Sequence, residues 1–569
     1  MQFYEEYSVN NLENNLENTI IQKIIYEDGL HYYNNGSEYI EIQNNRAIHN
    51  DIVYISDNKV VGIKERTNDL IVGILYLDSK IKYGFLKDKP LYLFKPTHKA
   101  YPNFYVPYKN NAKHKVYCTI NFKKWDTTDK LPVGTLQEVI GPISDIEAEY
   151  EHLRNYYSVK NNIWKVNKLK TENDSKIIRD IQSVCEDYQV FSIDPEGSLD
   201  IDDAFNYKEL ENGNHEIGIH IACPLKFFGS NLEEILNRVS TVYLPHRKYN
   251  MLPNNYADNY VSLLEGEKRF ALSLIITFDN NLNITNEIIK ETIVKNIKNY
   301  NYEEFNKIYE KNDNLKNFVK ISSEIFKYNL EDSHKLVENW MIFANKKVAN
   351  ILITRKLENT IIRKHETSHK SELIELTEEL SNYLQLKEEN SAYYEIYDYA
   401  IDQTHSKLGN EYYTHFTSPI RRAVDLFIHY LLIKNEDLYS REELTCIIDN
   451  INIFTKNTRK LDRTSRRLKF LYEIKELEKN IETYCYIIKI TKNRLTVYIP
   501  EYKLEEKITI IPRKFEKIAI VEHSENMINY KLENRDYSYS MYQKLNIRLW
   551  VFTSFENIFD KLKIEIIKS

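Results

Sequence analysis

Between Phe191 and Phe205 this chain places four aspartates, Asp194, Asp200, Asp202 and Asp203, within ten positions. Their neighbours are Phe191, Ile193, Leu199, Ile201, Ala204 and Phe205. A solvated acidic face would not carry so many large apolar residues. Carboxylates gathered against apolar walls repel one another, and taking them out of water costs free energy. A divalent cation offsets both effects, and all-oxygen ligands suit Mg²⁺ or Mn²⁺. The stretch therefore predicts a divalent-metal site for phosphoryl chemistry. Alternation along extended backbone sets Asp200 and Asp202 on one side and Asp203 on the other, while a turn at Pro195-Glu196-Gly197 brings Asp194 back toward them. An EF-hand loop starting at Asp200 is excluded, because its sixth position would be Phe205 where glycine is required. An acidic turn without function is the alternative left open by these residues alone.

The rest of the chain is organised around this block. At 569 residues it has room for several domains. Hydrophobic residues make up 42%, enough for packed cores, and the low Gly and Pro counts, 13 each, argue against low-complexity linkers. The 45 tyrosines fit the codon usage of an A+T-rich genome, or in part a base-stacking surface. Residues 1–66 and 67–155 read as short strands broken by turns, two small β-barrels. In the second, Tyr101, Phe104, Tyr105, Tyr108 and Tyr117 interleave with Lys109, Lys113, Lys115, Lys123 and Lys124. That texture suits a single-strand-binding OB barrel, as well as an ordinary barrel with a charged face. Residues 145–190 read as largely helical up to the acidic block. Apolar strands are expected at 216–222, 270–278 and 284–295, with helices at 230–243, 371–386, 394–407 and 455–479. Asp332-Ser333 predicts the N-cap of a helix running through Leu336, Trp340, Ala344 and Val348. From Tyr484 the β texture returns as a third barrel, 481–569, leaving 156–480 as the catalytic region.

Net charge is −7, so any nucleic-acid surface must be local. The five cysteines are widely spaced, which excludes a zinc ribbon or disulfide framework and suits a reducing intracellular, cytoplasmic setting. No signal peptide is read at the start. Apolar runs such as 271–278 are too short to span a bilayer, so no membrane partner is expected.

A second constellation is Thr417-Ser418-Pro419-Ile420-Arg421-Arg422. Paired arginines before a helix can clamp phosphate oxygens with forked, permanently charged donors, although such pairs are more often surface residues. Tyr243, before Leu244-Pro245, is by itself an ordinary packed aromatic. Together these pieces resemble the ribonuclease II/R, or RNB, family of exoribonucleases. The resemblance rests on Ile193-Asp194-Pro195-Glu196, Asp200-Ile201-Asp202-Asp203-Ala204, Gly218-Ile219-His220-Ile221-Ala222, Val242-Tyr243-Leu244-Pro245, Arg269-Phe270-Ala271-Leu272-Ser273, Val337-Glu338, Ala344-Asn345 and Tyr413 through Arg422, in the family's order. It covers about 185–475. The second barrel is most similar to that of the exosome-subunit branch.

The resemblance implies a multidomain α+β protein, an RNB catalytic domain flanked by OB-fold barrels, two cold-shock-like before it and one after. It implies a two-metal 3′→5′ exoribonuclease acting on single-stranded RNA and releasing nucleoside 5′-monophosphates. Asp194, Asp200, Asp202 and Asp203 match the metal-binding aspartates, with Asp194 and Asp203 the most direct ligands. Asp202 matches the residue whose loss is most damaging, Asp200 assists, and Arg421 matches the arginine that steadies the scissile phosphate. Tyr243, Glu338, Arg269 and Arg422 fall at substrate-binding positions, Tyr243 stacking on terminal bases. The family pattern is departed from at Ala423, where a tyrosine usually follows the arginines, and between Ile321 and Asp332, where a second stacking aromatic is not found. No endonuclease domain is read before the first barrel and no basic tail after the last. The alternative from another class is a catalytically silent RNA-binding regulator or scaffold; such relatives are expected to lose some of the aspartates, and all four are present here.

Overall fold

In the computed structural model, the strands on either side of the acidic stretch close into a five-stranded barrel. The structure describes the chain except residues 1–19, 28–29, 35–38, 44, 110–113, 127, 144, 160–163, 165–173, 229–231, 328–331, 366–375, 390–391, 402, 406–407, 410, 478–479, 511–517, 525, 533–534, 552–561 and 568–569. Two units emerge: residues 160–459, and residues 1–159 together with 460–569.

The barrel belongs to the unit 160–459. Its strands β1 (Tyr188–Asp194), β2 (Asp203–Glu209), β3 (His215–Ala222), β4 (Lys268–Phe278) and β5 (Ile284–Asn301) are successive antiparallel neighbours. β1 closes the ring by pairing parallel with β5. The expected apolar strands thus exist, and Ile217, Ile219, Ile221, Leu274 and Ile276 are all buried. Closure also creates a polar interior that alternation does not announce. A Cβ on Gly218 would lie 2.0 Å from Asn206 Oδ1 and 2.5 Å from His220 Nε2. Glycine there leaves room for His220, whose Nε2 pairs with Asn206 Oδ1 at 2.7 Å and Nδ1 with Ser273 Oγ at 2.7 Å. Burial pushes this imidazole down to about 3, so it stays neutral.

Register decides where the carboxylates go. Asp194 is the last residue of β1, opposite Asn301 at the end of β5. Asp203 is the first of β2, opposite Ile221. Both therefore open on the same end of the barrel. Helices α1 (Tyr302–Ile308), α2 (Asp313–Phe326), α3 (Ser333–Arg355) and α4 (Ala423–Lys434) complete the core of this unit. α3 begins at the expected cap, Asp332 accepting from the His334 N–H, and buries Leu336, Trp340, Ala344 and Val348.

Two helical expectations are corrected here. Of the described residues in 230–243, only Leu232–Leu236 is helical, and Tyr243 sits in the short strand Val242–Leu244, paired with Arg247–Tyr249. Of residues 394–407, the start lies in β7 (Tyr393–Ile396), antiparallel to β6 (Ile361–Lys364). Tyr394 and Ile396 alternate inward, and burial of these two side chains outweighs local helix preference. The stretch 371–386 is helical from Glu378, its beginning lying outside the described residues. Part of the shortened segment before Asp332, 328–331, lies outside them too.

In the other unit, the N-terminal strands form two three-stranded sheets around Ile24, Tyr33, Val53, Ile55 and Val60. The second barrel closes because Phe104–Pro107 pairs on one side with Lys89–Pro96 and on the other with Val133–Pro142. Its expected aromatic face is divided: Phe104 and Tyr117 are buried, and Tyr101 donates to Asp69 Oδ2 at 2.8 Å. The C-terminal strands form a five-stranded and a three-stranded sheet. The basic stretch is helical from 455 to 477, within one helix, Arg441–Leu477. There Arg463, Arg466 and Arg467 pair with Glu505, Asp462 and Glu506, so much of its charge is neutralised locally. Tyr157 and Tyr472 hydrogen-bond to Thr464 and Glu149, which ties the second half of this helix to residues 145–159 of the same unit. No helix among the described residues is long and apolar enough to cross a membrane.

Candidate active site

The acidic loop 195–202 is held by its own unit's backbone. Ser262 Oγ donates to Leu199 O at 2.7 Å and accepts from Ile201 N–H at 2.9 Å. Ala222 N–H donates to Asp202 O at 2.8 Å. Arg269 was expected at a substrate contact; in the structure its guanidinium is held by the chain itself. It is buried and does not line the cleft; its Nε donates to Ser262 O at 3.0 Å and Asn259 O at 3.2 Å, and Nη1 pairs with Glu267 at 3.2 Å. It supports the segment that carries Ser262, and through it the acidic loop.

The loop faces a cleft of about 1040 Å³ lined by Asp194, Asp200, Asp202, Asp203, Tyr243, Glu338, Arg421 and Arg422. Eight of the nine expected site residues therefore share one cleft. The opposite wall is the segment Thr417–Arg422. Asn345 Oδ1 accepts from Phe416 N–H at 2.8 Å, and Asp425 Oδ1 accepts from Ser418 N–H at 2.8 Å and Arg422 Nη2 at 2.8 Å. The same segment fixes the strand of Tyr243, since Thr241 N–H donates to Arg421 O at 3.0 Å. Tyr243 is half exposed, with Lys248 Nζ 5.8 Å from its ring centroid and its hydroxyl 3.2 Å from Asp200 Oδ2. Glu338, on α3, accepts from Lys335 at 2.7 Å.

The four carboxylates do not act as one set. Asp202 is 4% exposed; its Oδ1 accepts from Ile420 N–H at 2.9 Å and its Oδ2 from Arg421 Nε at 3.1 Å. Asp200 pairs with Lys248 at 2.9 Å. Among the described residues no three His, Cys, Asp or Glu side chains converge closely enough to hold a metal ion as they stand. Asp194 and Asp203 remain. Asp194 Oδ2 is buried with no hydrogen-bond partner. Burial pushes the Asp194 carboxyl up to about 6, with the Asp200 charge adding to it. Asp203 is held well above the carboxylate range by burial and by the charges of Asp194 and Asp202. Two partly buried carboxyls, both held above the carboxylate range and one with an orphaned oxygen, fit a divalent cation, which would stabilise both as anions. Burial likewise pushes Asp202 up to about 7, against the pull of Arg421.

Several cleft residues had no role assigned from sequence. Lys248 bridges Asp200 and Asp258, at 2.9 and 3.3 Å. Tyr302, the first residue of α1, stacks on His334 at 3.6 Å between ring centroids. Arg363 and His415 line the far side. Only Asp425 left a local signal, three residues after Arg422 at the start of a helix.

A carboxylate loop at the mouth of a closed barrel thus faces an arginine loop across one cleft, in a mixed α/β multidomain chain with an RNB domain and an OB-fold cold-shock domain. The RNB domain model matches residues 182–327 and 314–436, and the Dis3-like cold-shock domain 2 model matches 91–157. Residues 182–436 thus carry an RNB domain. It is 25% identical over 537 residues to the exosome complex exonuclease RRP44 of Mus musculus, covering 77% of this chain and 55% of that protein. The chain thus spans about half the length of the curated relatives it matches. Among solved structures, Mycoplasma genitalium RNase R in complex with ribose-methylated single-stranded RNA superposes with a TM-score of 0.71 at 18% identity, covering 96% of this chain and all of that one. Yeast Ssd1, a pseudonuclease, superposes with a TM-score of 0.66 at 14% identity over 99% of this chain and 98% of that one. These two likenesses concern the fold.

Proposed function

We propose that this protein is a divalent-metal-dependent exoribonuclease that hydrolyses single-stranded RNA from the 3′ end and releases nucleoside 5′-monophosphates. The observation that carries the reading is one cleft holding the Asp194–Asp203 pair, the Asp202–Arg421 ion pair and the exposed ring of Tyr243. Mg²⁺ (or Mn²⁺) held by Asp194 and Asp203 would supply Lewis-acid stabilisation and an activated water. The chain's own groups do the rest. Arg421, kept in place by Asp202 and Ser418, presents its guanidinium to a non-bridging phosphate oxygen. Tyr243 stacks on a terminal base. Glu338 accepts from a sugar hydroxyl, the contact by which RNA differs from DNA. Five unpaired cysteines fit a reducing intracellular setting, and we place the protein in the cytoplasm.

A second reading, a silent RNA-binding protein, is favoured by the engagement of Asp200 and Asp202 by Lys248 and Arg421. One experiment separates the two. The protein and Asp202→Asn are incubated with Mg²⁺ and 5′-labelled single-stranded RNA, matched DNA or duplex RNA. The enzyme reading expects a ladder on single-stranded RNA that shortens from the 3′ end and disappears in the variant. Binding without a ladder supports the silent reading, and equal cleavage by the variant rules out dependence on this carboxylate.

A further inference from the structure

The far side of the cleft carries guanidinium charge that the scissile phosphate does not use. Arg363, on β6, lines the cleft and makes no ion pair with a described residue. Its Cζ lies 5.3 Å from the centroid of the Tyr394 ring, and its backbone N–H donates to Tyr413 O at 2.7 Å. Arg422 approaches the same aromatic group. It gives one Nη2 hydrogen bond to Asp425, while its buried Nε has no partner among the described residues.

Between them stands His415. Its Nδ1 lies 2.5 Å from the hydroxyl of buried Tyr394. Burial and the charges of Arg422, Arg363 and Arg421 keep this imidazole neutral. A phenol O–H is a far stronger acid than an imidazole N–H, so Tyr394 donates and Nδ1 accepts. The ring proton is therefore on Nε2, a donor carried by a cleft-lining residue. Arginine and imidazole N–H donors lining one cleft favour an anion, while the nearby Asp425 accepts from Ser418 and Arg422 through Oδ1 and keeps Oδ2 buried without a partner.

We propose that Arg363, Arg422 and the Nε2–H of His415 form a second phosphate subsite in the cleft, distinct from the scissile-phosphate contact at Arg421. Resting on the RNA reading above, its occupant is a phosphate group of the bound strand. The chemistry admits two sources: a 3′-terminal phosphomonoester, or an internucleotide phosphate neighbouring the scissile one.

The test measures binding in EDTA, so that hydrolysis does not contribute. The probes are labelled oligoribonucleotides ending in 3′-hydroxyl or 3′-phosphate, and a series with one neutral methylphosphonate linkage placed at each of the last positions. Native protein should lose roughly 10- to 100-fold in affinity at one non-scissile modification, or gain comparably from the 3′-phosphate. The first result assigns the internucleotide phosphate, the second the terminal one. Arg363→Gln should abolish that response and lower the slope of log K against log salt by about 0.7, the value for one phosphate contact on a single strand. Arg363→Lys should restore part of both. If native protein binds RNA but ignores every modification beyond the scissile phosphate, the subsite does not exist, whatever the variants do. A folded Arg363→Gln protein that keeps the native response likewise overturns it. Failure to bind unmodified RNA overturns the RNA reading itself.

Discussion

Arg421 Nε lies 3.1 Å from Asp202 Oδ2, a pairing that spans 219 residues of chain and joins the two walls of the cleft. Asp202 is buried while Arg421 is half exposed. The carboxylate thus orients the guanidinium from behind and leaves its outer edge free for substrate. Removing Arg421 as Arg421→Ala should lower turnover roughly 10²- to 10³-fold, the scale for losing one oriented charge stabiliser. Asp202→Asn keeps the acceptor for Ile420 N–H and loses the ion pair, so its deficit should lie in kcat more than in melting temperature. Single-turnover kinetics beside calorimetry check both.

Tyr243 offers a ring and a hydroxyl, and two substitutions separate them. Tyr243→Ala should weaken single-strand binding by about 1–3 kcal/mol and change the length of the final fragment, with chemistry retained. Tyr243→Phe keeps the ring and loses only the contact to Asp200, and should leave fragment length as it is. Sequencing-gel analysis of end products reads this directly, and an unchanged final fragment in Tyr243→Ala counts against stacking.

Arg269 should behave as a structural residue. Its truncation strands Ser262 O and Asn259 O, each costing about 1–3 kcal/mol if left unsatisfied. Arg269→Ala should therefore lower the melting temperature, and activity should fall in step with the folded fraction. Arg269→Lys should rescue little, since one ammonium cannot reproduce the guanidinium fork. A stable variant with a raised KM would return Arg269 to substrate binding.

Acid should destabilise the unit 160–459 through its buried histidines. Burial holds His220 at about 3 and His429 at about 4. Their folded values lie below the unfolded ~6.5, so the folded state binds fewer protons and its stability falls as pH drops from about 6.5 toward 4. For His429 the loss is on the order of 3 kcal/mol. Asp194, Asp202 and Asp203, whose values are raised, change stability in the opposite sense over this range. The histidine contribution should therefore be read as the difference between native protein and His429→Gln in denaturant titrations between pH 7.5 and 4.5.

Chelation tests the carboxylate pair. EDTA should stop the reaction, and Mg²⁺ or Mn²⁺ should restore it in native protein but only weakly in Asp194→Asn or Asp203→Asn. Undiminished cleavage by metal-free native protein would exclude the proposed chemistry.

The sequence by itself determined the elements and most of the membership of the cleft. Apolar runs at 216–222 and 270–278 gave the strands, the cap at Asp332 gave α3, and the acidic and arginine motifs named six of the residues that line one cavity, with Tyr243 and Glu338 added by the family resemblance. Such signals are local: a period, a turn residue, a capping side chain. Tertiary structure decided what local signals do not contain. The run starting at Tyr393 became a strand because its partner, Ile361–Lys364, lies some thirty residues earlier. Arg269 turned out to bind backbone carbonyls, because only the fold shows that Ser262 and the acidic loop lie beneath it. The aspartates separated into a metal-fitting pair, Asp194 and Asp203, and two carboxylates engaged by Arg421 and Lys248. Coulomb attraction depends on distance in space, and the chain between Asp202 and Arg421 says nothing about that distance until the barrel and the helices behind it have closed.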